Sequence, residues 1–158
     1  MAAPAFVPHH TLVTAPSAEP ARWMLMLHGI IGSGTNLRML AKRVAERRPT
    51  WGFILVDLRM HGLSQGAPPP HTIAATADDL RRMEEQLGLP VAGVLGHSFG
   101  GKVALAYLER RGASVEQAWV LDASPSAGAR EPPRAKGARA VLQMLRAVPQ
   151  PLSSRERF

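Results

Sequence analysis

Gly96-His97-Ser98-Phe99-Gly100 sets a serine between glycines at G-x-S-x-G spacing, the spacing of a nucleophile elbow. The preceding stretch, residues 89–95, is short and apolar and reads as a buried strand. Residues 101–111 read as a helix that ends at Gly112. A strand that runs into a helix through so few residues needs a sharp turn, and that turn lifts the serine hydroxyl clear of the sheet edge. Strand and helix backbones then approach too closely for side chains, so small residues are required on both sides. A chain with this segment at its centre is constrained to pack helices against a sheet.

The remaining pattern agrees. A first strand is expected within residues 6–13, followed by a turn through Pro16 and Pro20. Trp23-Met24-Leu25-Met26-Leu27 is an unbroken apolar run, as in a strand covered on both faces. Leu37, Leu40, Ala41 and Val44 recur at helical spacing behind a Ser33 or Thr35 cap, and the helix stops before Pro49. Residues 52–56 form the next buried strand, ending at Asp57. After Pro68-Pro69-Pro70, residues 76–87 read as a helix closed by Gly88. Residues 117–121 are one more strand, ending at Asp122. This alternation predicts an α/β fold: a mainly parallel sheet, helices on both faces and right-handed crossovers. Ligands of such sheets bind beyond the carboxyl ends of the strands, where His28, Gly29, Asp57, Ser98 and Asp122 all fall.

Composition narrows the class. The 158 residues suffice for one domain with a real core, and the chain contains no cysteine. That removes disulfide frameworks, thiolate metal sites and cysteine nucleophiles. No apolar run approaches membrane-spanning length, and the N-terminus lacks a basic-then-apolar leader; a cytoplasmic protein without a membrane partner is expected. The net charge is +7, and much of it sits in residues 130–158, where seven Arg and Lys face two Glu. A basic, Pro- and Ala-rich segment without interleaved aromatics reads as a solvated segment, and no nucleic-acid partner is expected. Within it, residues 138–147 read as a helix. No spacing of His and acids suggests a metal, and no cofactor is expected.

Three segments together carry a family resemblance. His28-Gly29-Ile30-Ile31-Gly32-Ser33 after a strand is similar to the His-Gly oxyanion loop of the α/β-hydrolase fold. Asp57-Leu58-Arg59-Met60-His61-Gly62-Leu63-Ser64 resembles the loop after that family's next strand, and Gly96 to Gly101 its elbow. The resemblance covers residues 6–125 and implies an esterase-type serine hydrolase. Ser98 is then the nucleophile, the backbone N–H groups of Ile30 and Phe99 form the oxyanion hole, and His28 and Gly29 shape the substrate loop. Residues 1–125 would be the amino-terminal part of the core, and 126–158 the start of a cap.

Two triad members are less direct. Asp122 reads either as the triad acid, as in a minority of small bacterial esterases of this family, or as a turn cap through Ser124 and Pro125. The family's base is a histidine near the C-terminus, after the cap, and this sequence has no histidine beyond His97. His9, His10, His28, His61, His71 and His97 all read as structural or solvated. The expectation is a fragment whose base lies in the remainder of the same protein, with an exposed sheet edge and poor solubility. The function expected of the complete protein is hydrolysis of a small carboxylic ester or thioester through an acyl-serine. Ser98 argues against haloalkane and epoxide chemistry, which use an elbow Asp. A cofactor-free haloperoxidase, or a non-catalytic binding or scaffold protein, are the alternatives.

Overall fold

In the computed structural model, the described residues are 6–124, together with Gln143 in a helix. The chain divides into two units, Met1–Pro125 and Ser126–Phe158, and the sheet with its helices belongs to the first. The expected cap segment, its basic charge and, apart from Gln143, the helix expected over residues 138–147 lie outside the described residues.

Five strands form one sheet: β1 (His10–Val13), β2 (Arg22–Leu27), β3 (Trp51–Val56), β4 (Val91–His97) and β5 (Gln117–Leu121). Their order is β1-β3-β2-β4-β5; β1 runs antiparallel to β3 at one edge and the other pairings are parallel. Three helices connect them: α1 (Arg38–Arg47), α2 (Ile73–Leu87) and α3 (Phe99–Arg111). From β2 the chain steps to β3 on one side, then crosses back to β4 on the other. The carboxyl ends of β2 and β4 therefore flank the point where the winding reverses, the position at which such sheets open a crevice.

Alternation of side chains explains the uninterrupted apolar runs. Trp23, Leu25 and Leu27 of β2 and Ile54 and Val56 of β3 pack with Leu80, Met83, Val103 and Tyr107 of α2 and α3. The intervening Met24, Met26, Phe53 and Leu55 face Ala41 and Ala45 of α1. Both faces of the central strands are thus covered, and each buried Leu or Ile side chain contributes about 1.5–3 kcal/mol.

Three helix starts differ from the sequence reading, α1 among them, since it begins at Arg38 rather than directly behind Ser33 or Thr35. α2 begins at Ile73, three residues early, because the Thr72 hydroxyl accepts a hydrogen bond from the Ala75 N–H at 3.1 Å and caps the helix. α3 begins at Phe99 itself, so Gly100 and Gly101 are helical residues. A 3-10 turn, Gly34–Leu37, precedes α1; the Asn36 side chain accepts from the Ser33 N–H at 2.7 Å. Among the described residues no helix is long and apolar enough to cross a membrane.

Candidate active site

Ser98 sits between β4 and α3 with φ +52° and ψ −113°, a conformation that costs a non-glycine residue on the order of 1–3 kcal/mol. The surrounding structure enforces it. The Ser98 N–H donates to the Leu121 carbonyl at 2.8 Å, and the Ser98 carbonyl accepts from Gly101 at 3.0 Å. A Cβ on Gly96 would overlap the Gly100 carbonyl, and one on Gly100 would overlap the carbonyls of Leu27 and His28. Glycine at both positions lets α3 start directly against the ends of β2 and β4.

The His28-Gly29 loop lies over this turn. A Cβ built on Gly29 would stand 3.6 Å from the Ser98 Cβ and 3.1 Å from His97 Nδ1. Ile30 follows immediately, and its N–H has no hydrogen-bond partner among the described residues. Phe99 heads α3, where the first N–H groups have no acceptor inside the helix and the dipole favours negative charge. The two residues read from the sequence as oxyanion donors thus follow directly on Gly29 and on Ser98.

Asp122 follows β5. The β4–β5 register pairs His97 with Leu121, so Ser98 and Asp122 occupy equivalent places at the ends of neighbouring parallel strands. Asp122 also has positive φ, +52°, and is exposed.

The histidines divide by environment. His28 is buried; its Nδ1–H donates to the Gly29 carbonyl at 2.7 Å, and Nε2 accepts from the Leu58 N–H at 3.0 Å. Burial, chiefly, holds its pKa below the ordinary imidazole value; the Gly29 carbonyl opposes this, nearby His61 adds to it, and Asp57 opposes it. His28, expected in the substrate loop, therefore braces that loop with both ring nitrogens. His61 places Nδ1 2.9 Å from the Arg59 carbonyl and Nε2 2.8 Å from the Ile30 carbonyl, and its ring stacks on Phe99 at 6.1 Å. His9, His71 and His97 are exposed, and His10 contacts the Pro8 carbonyl. Among the described residues, no imidazole hydrogen-bonds the Ser98 hydroxyl.

Asp57 and Arg59, read from the sequence only as parts of a loop, join the neighbouring segments. Asp57 accepts from the Gly34 N–H at 2.7 Å and the Leu63 N–H at 2.9 Å, tying the loops after β2 and β3 together. Arg59 is buried against Asp79 of α2 at 2.7 and 2.9 Å and donates to the Pro68 carbonyl at 3.0 Å. The D-x-R spacing is visible in the sequence, but Gly34 and Asp79 are distant along the chain and nothing local points to them. An apolar cavity of about 280 Å³ lined by Met24, Met26, Leu40, Trp51, Leu95 and Trp119 lies on the α1 face and does not include Ser98.

A sheet wound in this order, with a strained serine at its reversal point, defines the α/β-hydrolase class. The chain belongs to that family: the profile described as "alpha/beta hydrolase fold" matches residues 22–150. It is 36% identical over 116 residues to the mouse sn-1-specific diacylglycerol lipase ABHD11, covering 73% of this chain and 36% of the lipase. It is 30% identical over 102 residues to the esterase YbfF of Escherichia coli, covering 65% of this chain and 39% of that esterase. Among solved structures, a marine microorganism esterase superposes with a TM-score of 0.79 at 23% identity, covering 96% of this chain and 56% of that one, which shows the shared fold. The chain thus spans little more than a third of the curated relatives' length.

Proposed function

We propose that this chain carries the nucleophile half of a serine hydrolase acting on a carboxylic ester or thioester. The observation that carries the reading is Ser98, held at positive φ beside the His28-Gly29 loop, where a Cβ on Gly29 would stand 3.6 Å from the Ser98 Cβ. Backbone strain at a non-glycine residue persists where the surroundings over-determine it, and it clusters at sites that must present a side chain. The esterase and lipase names of the relatives support the substrate class.

In this reading the Ser98 Oγ attacks the acyl carbon while its proton passes to an imidazole. The carbonyl oxygen becomes an oxyanion that accepts hydrogen bonds from the Ile30 and Phe99 N–H groups. Collapse expels the alcohol or thiol, which takes the proton back, and leaves an acyl-Ser98 ester. Water activated by the same imidazole then releases the acid. Asp122 orients the imidazole from the end of β5. His28 and His61 already hydrogen-bond backbone groups, so this reading assigns the base to neither of them.

Turnover of a short p-nitrophenyl ester by the protein tests the assignment. Ser98→Ala abolishes it, and Asp122→Asn lowers kcat by on the order of 10⁴-fold through loss of imidazole orientation. Near-full activity in Asp122→Asn would move the acid elsewhere. A hydrolase-like binding protein is the second reading, favoured by the commitment of His28 and His61 to backbone partners; it predicts no Ser98-dependent turnover at all.

A further inference from the structure

We infer that His61 is a positioning residue of the oxyanion hole: its Nε2–H holds the Ile30 carbonyl and thereby aims the Ile30 N–H at Ser98. The catalytic consequence rests on the hydrolase reading, whereas the strap itself rests on geometry.

The Ile30 carbonyl is gripped from a segment 31 residues away, at 2.8 Å from His61 Nε2. A carbonyl oxygen only accepts, so the short contact is a bond when Nε2 carries a proton. The peptide plane that carries this oxygen is hinged at the Ile30 Cα to the plane that carries the Ile30 N–H, so holding the carbonyl restricts how far that N–H can swing. Ile30 is itself 38% exposed and Ile31 60%, so side-chain burial does little to anchor this stretch. Behind it, Gly32 bonds back to the Gly29 carbonyl at 3.0 Å, closing a tight turn through Ile30 and Ile31. Among the described residues, the His61 strap is the long-range side-chain bond that reaches that turn.

The other end of the strap is rigid. The His61 N–H donates to the Leu58 carbonyl at 2.9 Å; the ring Nδ1 faces the Arg59 carbonyl at 2.9 Å, a second bond only in the doubly protonated ring. Arg59 is locked by its buried ion pair with Asp79, the two side chains 6% and 1% exposed. One face of the His61 ring stacks on Phe99, the residue that supplies the second oxyanion N–H. A single imidazole therefore touches both proposed donor residues and is referenced to α2. An oxyanion donor is effective only when it points at the oxyanion before the reaction begins, and a misplacement of about 1 Å costs on the order of 10²-fold.

Three variants of the protein test this. His61→Phe keeps a ring on Phe99 and removes both nitrogens, and His61→Gln returns one amide donor to the same reach. The isoleucines of this chain are Ile30, Ile31, Ile54 and Ile73, so Ile30-Ile31 is its one Ile-Ile pair. Carbonyl-¹³C, amide-¹⁵N isoleucine labelling then reports the Ile30 carbonyl as a single correlated peak. The expected result is an upfield shift of that carbon in His61→Phe, largely reversed in His61→Gln, with a protonated Nε2 in the His61 ring ¹⁵N spectrum of the parent. Alongside, kcat for a short ester falls by on the order of 10²-fold in His61→Phe with KM unchanged, and recovers in His61→Gln. An unmoved Ile30 carbonyl, or an unprotonated Nε2, overturns the strap, as does a His61→Phe enzyme with full kcat. Ser98→Ala separates the two levels: if it retains turnover the hydrolase reading fails, while the carbonyl shift still decides whether His61 holds the loop.

Discussion

Ser98 is held in a backbone conformation it would not choose, and that gives a stability signature independent of chemistry. Ser98→Gly relieves the positive φ, whereas Ser98→Ala keeps it. The glycine variant is expected to be more stable than the alanine variant by about 1 kcal/mol, read as a shift of the urea midpoint. Equal midpoints would mean that the turn is not strained. His28 carries a second residue-scale signature. Its folded-state pKa is lowered, mainly by burial, so the unfolded chain binds more protons as pH falls through the ordinary imidazole range. Stability from this group is therefore present above the unfolded value of about 6.5 and lost as pH drops below it. Urea midpoints between about pH 7.5 and 5.5 should fall more steeply in the parent than in His28→Ala; equal slopes would show that His28 is not buried in its neutral form. Neither role is legible in the sequence. There His28 and His61 are structural histidines of two loops, and what each braces is decided by backbone groups far along the chain: Leu58 for His28, Ile30 for His61.

At the level of elements, the sequence is legible where burial writes it plainly. Trp23 to Leu27 and residues 52–56 are apolar without interruption because helices cover both faces, and residues 117–121 coincide with β5 end to end. The start of α2 is hidden because Ile73-Ala74-Ala75, following prolines, lacks the polar spacing of an exposed helix, although the Thr72 cap stands in view. The start of α3 is hidden because glycines argue against helix, yet here closeness to the Leu27 and His28 carbonyls outweighs propensity. These two helix starts should respond differently to substitution. Thr72→Ala removes a cap and costs about 1 kcal/mol with the Ser98 turn intact. Gly100→Ala drives a methyl into the β2 end, costs about 1–3 kcal/mol and disrupts the turn itself. Thermal melts together with ester turnover distinguish them; a Gly100→Ala protein with unaltered kcat would rule out the close approach.

At the scale of the whole molecule, the described part of the sheet ends at β5. β5 is the last strand of the sheet among the described residues, with Trp119 53% and Leu121 38% exposed, and the apolar cavity on the α1 side opens beside it. Three spaced loops make the fold family legible at this scale, but the identity of the base depends on residues the resemblance places elsewhere. Ser98-dependent turnover of a short p-nitrophenyl ester by the 158-residue chain itself assigns the base to one of its six histidines; turnover seen only in a longer polypeptide places the base outside it.

The proposed chemistry stands or falls on Ser98 as the acyl-accepting nucleophile. Peptide mass mapping of the protein after reaction with a fluorophosphonate, which phosphonylates an activated serine hydroxyl, measures this directly. One stoichiometric adduct is expected, on the peptide containing Gly96-His97-Ser98-Phe99-Gly100, and absent from Ser98→Ala. A folded protein that takes no adduct, or takes it on another residue and keeps it in Ser98→Ala, would refute the assignment.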